Sequence, residues 1–295
     1  MVTVSDVSGG EPSVPTGDIS FTNTGDGDFS PASATCTLNS VGQCSVDYTP
    51  NDASNIQHLI EATYDGDAIF QGSIDQFSQD IQRRSANLQL SCQPSNVFIG
   101  QQIPCMVTVT DDSTDGTPVV PQGEVSFDDG GKSGSFTSTS CSLDGSGSCT
   151  VNYTPDAGDA GTTDITSTYD GSSFAIHSPG STFQQLNVEL RPTKTSVECG
   201  TTILVDETTS CTVTVEDVAG VGNASAFSGD ISYTKSLSPA GEGHISASGL
   251  SGSTSELTET FDYYRTHLDN DGDMDTIGAE YVPDDDIHEG SVGGF

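Results

Sequence analysis

The chain has 295 residues, enough for two or three domains, and carries 43 Asp and Glu residues against 7 Lys and Arg residues. Its net charge of −36 would repel phosphate backbones and anionic lipid head groups, so we expect no binding to nucleic acid or to a membrane surface. No run of 18 apolar residues occurs, which predicts no membrane insertion by this segment. The apolar residues, 32% of the chain, recur in short alternating runs that favour thin β-sheets.

The sequence repeats itself. Residues 2–21 match residues 107–127, and CTLNSVGQCSVDYTP at 36–50 matches CSLDGSGSCTVNYTP at 141–155. A third, more divergent copy carries CTVTVEDVAG at 211–220. Self-similarity at a fixed period indicates a repeat architecture. We therefore predict three modules, which span residues 1–84, 85–192 and 193–295.

Each module reads as about seven short strands rich in Val, Thr, Tyr and Ile, separated by turns of Gly, Asp, Pro and Ser. This pattern is typical of an antiparallel β-sandwich, and no segment has a sustained helical period. The strands predicted in the middle module are 86–92, 96–99, 104–111, 122–128, 146–154, 162–169 and 182–190. The sequence therefore predicts an all-β fold.

Four motifs resemble one known family. They are the CTVTV run, the Pro-x-Gly-x-(Val/Ile)-Ser-Phe strand from Pro15 to Phe21 and from Pro121 to Phe127, the cysteine-bracketed hairpin that ends in Tyr-Thr-Pro, and the Thr-Tyr-Asp-Gly strand end. Together they resemble the tandem Ig-like repeats of bacterial and archaeal surface proteins. The resemblance implies Ig-like sandwiches in a stalk, adhesin or envelope component outside the cell. The chain departs from antibody-type domains because it has no Trp.

The eight cysteines contain no CxxC spacing, which favours a disulfide framework over a zinc or redox site. The first module has only Cys36 and Cys44, and the third has only Cys199 and Cys211. Cysteines are thus absent in local pairs. We predict the pairs Cys36–Cys44, Cys92–Cys105, Cys141–Cys149 and Cys199–Cys211.

The terminal modules are expected to be incomplete. Met1 aligns with Met106, so the first module lacks its first strand, and residues 282–295 run out before any counterpart of residues 183–190. Two explanations stand at this point: an excerpt from a longer array, or a filament subunit that receives a strand from a neighbour. Either way, the expected partners are neighbouring modules or subunits that meet at open sheet edges.

One acidic loop has the composition of a calcium site. Carboxylates alternate through DNDGDMD at 269–275, and a glutamate follows at the twelfth position. Ca²⁺ prefers six to eight oxygen ligands from such a curled loop. The alternative is a solvated acidic loop. The predicted ligands of a structural Ca²⁺ are Asp269, Asp271, Asp273, Asp275 and Glu280.

Two further sets of residues are candidates for surface roles. Asn152 and Asn223 begin N-x-S/T sequons and could accept glycans in an exported chain. Four of the seven basic residues lie in the linkers between modules, where they either bridge carboxylates across the module interface or remain exposed. These are Arg83, Arg84, Arg191 and Lys194.

Catalytic patterns such as GxSxG, HExxH and GxGxxG do not occur, and the five histidines share no ligand spacing. We therefore predict no enzyme activity. The predicted function is a non-enzymatic extracellular Ig-like array that acts as a stalk or adhesin-like segment of a microbial surface protein. The alternatives are a filament subunit assembled by strand donation and the accessory modules of a secreted enzyme.

Overall fold

The computed structural model describes residues 1–171, 175–223, 226–236, 243–252, 256–265 and 275–295. These residues form 24 β-strands and no helix, which confirms the predicted all-β fold. The strands group into sheets within three successive stretches of the chain, and all strand pairs are antiparallel except one. The three stretches are described as modules 1, 2 and 3, with the boundaries predicted from the repeats.

Module 1 has one four-stranded sheet, in the order β4-β2-β7-β8, and two short pairs, β1-β5 and β3-β6. Its core contains Ile19, Phe21, Leu38 and Tyr64. Its strands are β1 (Val2–Thr3), β2 (Asp18–Asn23), β3 (Gly27–Ser30), β4 (Thr35–Thr37), β5 (Gln43–Cys44), β6 (Asp47–Pro50), β7 (Gln57–Gly66) and β8 (Gln71–Asp80).

Module 2 is a two-sheet sandwich. Its strands are β9 (Ala86–Cys92), β10 (Asn96–Phe98), β11 (Ile103–Asp111), β12 (Glu124–Asp128), β13 (Ser135–Phe136), β14 (Ser140–Ser142), β15 (Ser148–Thr154), β16 (Gly161–Tyr169) and β17 (Gly180–Glu189). The sheets have the orders β10-β17-β16-β12-β14 and β13-β15-β11-β9. Val107 and Val109 of β11 are fully buried, whereas Met106, directly before Val107, is exposed. Buried and exposed side chains therefore alternate along β11, as expected of a strand with one face on the core.

Module 3 repeats this plan with the sheets β18-β19-β22-β21 and β20-β23-β24. Val213, Phe261 and Ile277 lie in its core. Its strands are β18 (Thr193–Glu198), β19 (Thr208–Asp217), β20 (Gly229–Ser236), β21 (Gly243–Gly252), β22 (Glu256–Arg265), β23 (Thr276–Pro283) and β24 (Ser291–Gly294).

The expectation that module 3 has no counterpart of the last strand is not met. β24 pairs antiparallel with β23 over Gly278–Tyr281, in the place that β17 takes beside β16. The strand has four residues, Ser-Val-Gly-Gly, and lacks the alternating apolar side chains of β17. Backbone hydrogen bonds hold this strand in the sheet. Every residue type can make them, so the sequence shows no hydrophobic pattern from which the strand could be predicted.

A buried tyrosine makes the same contact in each module. The hydroxyl of Tyr64 donates to the carbonyl of Thr16, and that of Tyr169 donates to Gln122, both at 2.8 Å. Tyr281 donates to Ser228 at the same distance. Each acceptor lies just before the strand that pairs with the tyrosine's own strand, so the bond fixes that strand entry in all three copies.

Candidate functional site

The linker between modules 2 and 3 contains a buried arginine that contacts both modules. The Arg191 side chain is only 3% exposed. Its Nη1 donates to the carbonyl of Ile99 in module 2, at 2.9 Å, and its Nη2 donates to the carbonyl of Val221 in module 3, at 2.8 Å. The guanidinium group therefore joins the two modules through fixed backbone atoms.

The charge of Arg191 is balanced by a buried carboxylate. Its Nε lies 2.5 Å from Oδ2 of Asp217, whose side chain is 4% exposed. Asp217 also accepts a hydrogen bond from the backbone N–H of Ala219, at 2.9 Å. A planar guanidinium group with five donors can serve three acceptors at once, which an ammonium group cannot do in this geometry. The interaction thus depends on arginine and not only on positive charge.

The loop before β24 completes this junction. The Arg191 backbone N–H donates to Ile287, and its carbonyl accepts from the N–H of Glu289. The Ile287 side chain packs against the hydrophobic core cluster of module 2. A loop of module 3 therefore contributes apolar contact to the preceding module, in addition to the polar contacts of the arginine.

The first linker has an arginine in the equivalent place. The backbone of Arg84 makes the corresponding two hydrogen bonds, with Ile176 and Ser178. Its Nε lies 2.5 Å from Oδ2 of Asp111, and its Nη2 donates to the carbonyl of Asp115. Both acceptors belong to module 2, and the Arg84 side chain is 21% exposed. The side chain of this linker arginine therefore binds module 2 alone and, among the described residues, makes no hydrogen bond to the rest of module 1.

The linker residues divide into two classes. Arg84 and Arg191 pair with carboxylates across the predicted module boundaries, as one of the two sequence interpretations proposed. Arg83 and Lys194 are exposed, as the other proposed. The aspartates that pair with the arginines were not predicted. Asp111 and Asp217 could have been found, because each is the last residue of one of the aligned valine-rich runs VTVTD and VTVED.

Each arginine lies beside a buried histidine. His177 Nε2 is 3.6 Å from Oδ2 of Asp111. The His288 ring stacks on Phe227 with centroids 4.4 Å apart, and its Nδ1 lies 3.0 Å from Oδ2 of Asp285. Neither ring belongs to an arrangement of a nucleophile and a base, so both histidines fit a structural role at the junctions.

Two carboxyl groups at the junctions have lowered pKa values. Burial alone would raise the pKa of Asp111, but hydrogen bonds from the Val119 N–H and from Arg84 outweigh this effect and hold the pKa well below its usual range. Burial likewise opposes the shift at Asp285, where hydrogen bonds from His288 lower the pKa. Both groups are therefore carboxylates over the whole neutral range.

All eight cysteines form disulfides, and none is free. Cys92, Cys105 and Cys211 are fully buried, so two of the bonds lie in the cores of modules 2 and 3. The structure has the same four pairs that the comparison of modules predicts. These are Cys36–Cys44, Cys92–Cys105, Cys141–Cys149 and Cys199–Cys211.

The predicted calcium ligands Asp269, Asp271 and Asp273 lie outside the described residues. Asp275 accepts a hydrogen bond from the hydroxyl of Tyr263. Glu280 is exposed and lies within β23, five residues further on. Five residues of extended chain span about 16 Å, and an odd separation places side chains on opposite faces.

The structure therefore does not bring Asp275 and Glu280 together around one ion. Within the described ranges, no cluster of three His, Cys, Asp or Glu side chains is arranged to hold a metal. Calcium binding by the acidic loop stays a prediction, which calorimetric titration with Ca²⁺ would test.

The two sequon asparagines have different surroundings. Asn152 is half-buried in β15, and its N–H donates to Oγ1 of Thr137 at 3.0 Å. Asn223 is exposed, and its N–H donates to the carbonyl of Gly100 across the junction of modules 2 and 3. Asn223 is thus the more accessible acceptor, and glycosylation of either residue stays a prediction.

A small apolar pocket of about 160 Å³ lies beside His177. Its apolar lining residues include Val119, Val120 and Ile176. The hydroxyl of Tyr169 at its edge is occupied by its hydrogen bond to Gln122. The other titratable residue that lines the pocket, His177, lies beside the carboxylate of Asp111, so the two side chains have structural surroundings and not those of an acid–base pair.

The most buried carboxylate of module 2 is also occupied by hydrogen bonds. Asp159 is fully buried and accepts from the N–H and the hydroxyl of Ser133 and from the N–H of Asp156, each at 2.9 Å. Burial of the Tyr153 hydroxyl raises the pKa of that residue, and the nearby negative charges of Asp159 and Asp129 raise it further. This network holds a loop in place and leaves no lone pair directed to solvent.

No protein-family model and no curated protein matches the chain. Among solved structures, the chain is similar to invasin, a bacterial integrin-binding protein, at 14% identity and a TM-score of 0.40 over 96% of this chain. The chain spans about half of that structure, 52%. The Escherichia coli adhesin FdeC matches over 95% of this chain and 87% of its own length, at 13% identity and a TM-score of 0.31.

A Parabacteroides merdae β-glucuronidase is also similar, at 10% identity and a TM-score of 0.23, over 58% of this chain and 21% of the enzyme. Likenesses this distant do not bear on what the chain does. In the described part of the chain, no helix is long and apolar enough to cross a membrane.

Proposed function

We propose that the chain is a non-enzymatic array of Ig-like modules that serves as a semi-rigid stalk, or adhesin-like segment, of a microbial surface protein. The observation that carries the proposal is the contact of Arg191 with both module 2 and module 3. A stalk must keep its modules at a fixed angle, and a buried guanidinium group between fixed carbonyls restricts that angle.

Two further observations support an extracellular site of action. Four disulfides in one chain are typical of an oxidising compartment. The net charge of −36 makes the modules repel one another and favours an extended, solvated chain. The buried carboxylates of Asp111, Asp159 and Asp217 are occupied by structural hydrogen bonds, which fits a role without catalysis.

Small-angle X-ray scattering of the full chain tests this proposal. We expect a profile that fits one fixed arrangement of modules 2 and 3, and a broader distribution of distances for Arg191→Ala. Lys194→Ala is the matched control, because it removes the same charge from an exposed position three residues further on, at the start of β18. The proposal would be wrong if the unmodified chain were as flexible as Arg191→Ala.

A further inference from the structure

We propose that module 1 carries an acceptor groove for an extended peptide segment. The groove is formed by the outer edges of β1 and β8 and by the side chains of Val2, Ile60 and Phe77. Its occupant is a strand with apolar residues at alternate positions, of the type that module 2 has at residues 86–105. This proposal goes beyond the stalk function and does not depend on it.

Module 2 shows what fills such a groove. There β9 pairs with β11, with Leu90 opposite Val107 and Leu88 opposite Val109. A few residues later, β10 pairs in parallel with the end of β17, and Val97 is 1% exposed. One continuous segment therefore completes both sheets and covers the core between them.

The same edges have no strand beside them in module 1. Among the described residues, β1 pairs only with β5, and β8 pairs only with β7. Every residue of β8 is exposed, whereas Leu186 and Val188 of the equivalent β17 are buried. Unpaired N–H and C=O groups along a long edge strand favour the addition of another strand.

Phe77 identifies the core-facing side of this groove. It lies opposite Ile60, which packs against the core cluster of module 1, yet Phe77 is 63% exposed. The equivalent residue of β17 is Gln184, which hydrogen-bonds to both the N–H and the carbonyl of Cys92 in β9. Phe77 therefore occupies the position in module 1 whose equivalent in module 2 is in contact with strand β9.

A second observation points to the same occupant. The Nη1 atom of Arg191 donates a hydrogen bond to the carbonyl of Ile99, the residue directly after β10. In Arg84, the same nitrogen makes no hydrogen bond to any described residue, because only Nε and Nη2 have acceptors. A segment of the β9–β10 type would bring a backbone carbonyl within reach of Arg84. One occupant would thus cover the apolar side chains of the groove and also accept a hydrogen bond from the arginine.

A second copy of the chain is the less suitable occupant. Each copy carries a net charge of −36, and pairing through β8 would bring Asp75 and Asp80 of both copies together. Like charges on an edge strand oppose such pairing. A peptide of the 86–105 type contains no acidic or basic residue and avoids this repulsion.

The test uses a fluorescent synthetic peptide of residues 85–106, with its disulfide closed, added to the full chain. We expect saturable binding by fluorescence polarisation and slower amide exchange in β8. Phe77→Asp should weaken binding about tenfold or more, because it places a charge in the apolar strip. Phe183→Asp is the matched control, since Phe183 is similarly exposed, at 65%, but lies on the outer face of β17.

A peptide with Leu88→Asp and Leu90→Asp tests the proposal without any change to the chain, and it should not bind. The proposal is overturned if the unmodified peptide does not bind, or if it binds Phe77→Asp as tightly as the unmodified chain. Dimerisation of the chain without peptide binding would also overturn it, in favour of a second copy as the occupant.

Discussion

The two linker arginines have the same local surroundings but different roles. Each is hydrogen-bonded through its backbone to a loop of the module that follows, and each pairs with an aspartate at the end of a valine-rich strand. Arg191 is 3% exposed and also binds Ile99 of the preceding module. Arg84 is 21% exposed, and both its side-chain acceptors lie in module 2.

The difference lies in what the preceding module offers. Ile99 follows β10, and module 1 has no counterpart of β9 or β10 among its described strands. At the first junction, apart from the backbone hydrogen bonds of Arg84 itself, the N–H of Ala53 donates to the carbonyl of Ala175 at 3.3 Å. The same linker motif therefore joins two modules only when the module before it presents a carbonyl at the right place.

The largest expected effect comes from Arg191→Ala. This change leaves the buried carboxylate of Asp217 without its cation, which typically costs about 3–5 kcal/mol. We expect the unfolding transition of module 3 to move to lower temperature in differential scanning calorimetry of the full chain. Arg191→Lys should recover only part of the loss, because an ammonium group cannot bind all three acceptors. Full recovery by lysine would contradict this account.

Removal of the core disulfide of module 2 should have the next largest effect. Cys92 and Cys105 are separated by 13 residues, and closing a loop of this size stabilises a fold by about 3 kcal/mol in the chain-entropy model. Replacement of both by serine should lower the midpoint of urea unfolding for module 2. The Cys36→Ser and Cys44→Ser pair, which removes the disulfide of module 1, should leave that transition unchanged.

Arg84→Ala should cost less than Arg191→Ala. Asp111 loses its cation but keeps hydrogen bonds from the N–H groups of Ser113 and Val119, and Arg84 is partly hydrated already. Loss of a charged hydrogen-bond partner of this kind costs about 1–3 kcal/mol. Calorimetry of the two alanine variants side by side would measure the difference, and equal losses would show that the contact with Ile99 is unimportant.

Acid should weaken the junctions by a smaller and graded amount. The pKa values of Asp111 and Asp285 are lower in the folded chain than the usual value of about 3.9. A lowered pKa in the folded state gives a stabilisation that is complete above pH 4 or so and is lost as the pH falls through the folded pKa. Asp111→Asn and Asp285→Asn should flatten the dependence of the melting temperature on pH below this value.

The strands of module 2 were predicted from the sequence to within two residues at each end. Alternation of apolar and polar residues is a local property, so it can be recognised in the sequence without knowledge of the fold. The strands that were not predicted are β13 and β14 of module 2 and β24 of module 3, which have two to four residues and carry no readable period. The calcium prediction stays untested, and the spacing of Glu280 from Asp275 does not by itself reveal that Glu280 lies in the extended strand β23.

The sequence by itself determined the all-β class, the repeat and the grouping of the cysteines. Each of these depends on residues close together in the chain or on the comparison of one copy with another. Only the tertiary structure decided which arginine joins two modules and where a strand edge is open. Arg191 and Ile99 are 92 residues apart in the sequence. Phe77 is exposed only because no other described strand covers it, and its own sequence neighbours do not reveal this. Burial and partner choice arise from packing between distant segments, which no local pattern encodes.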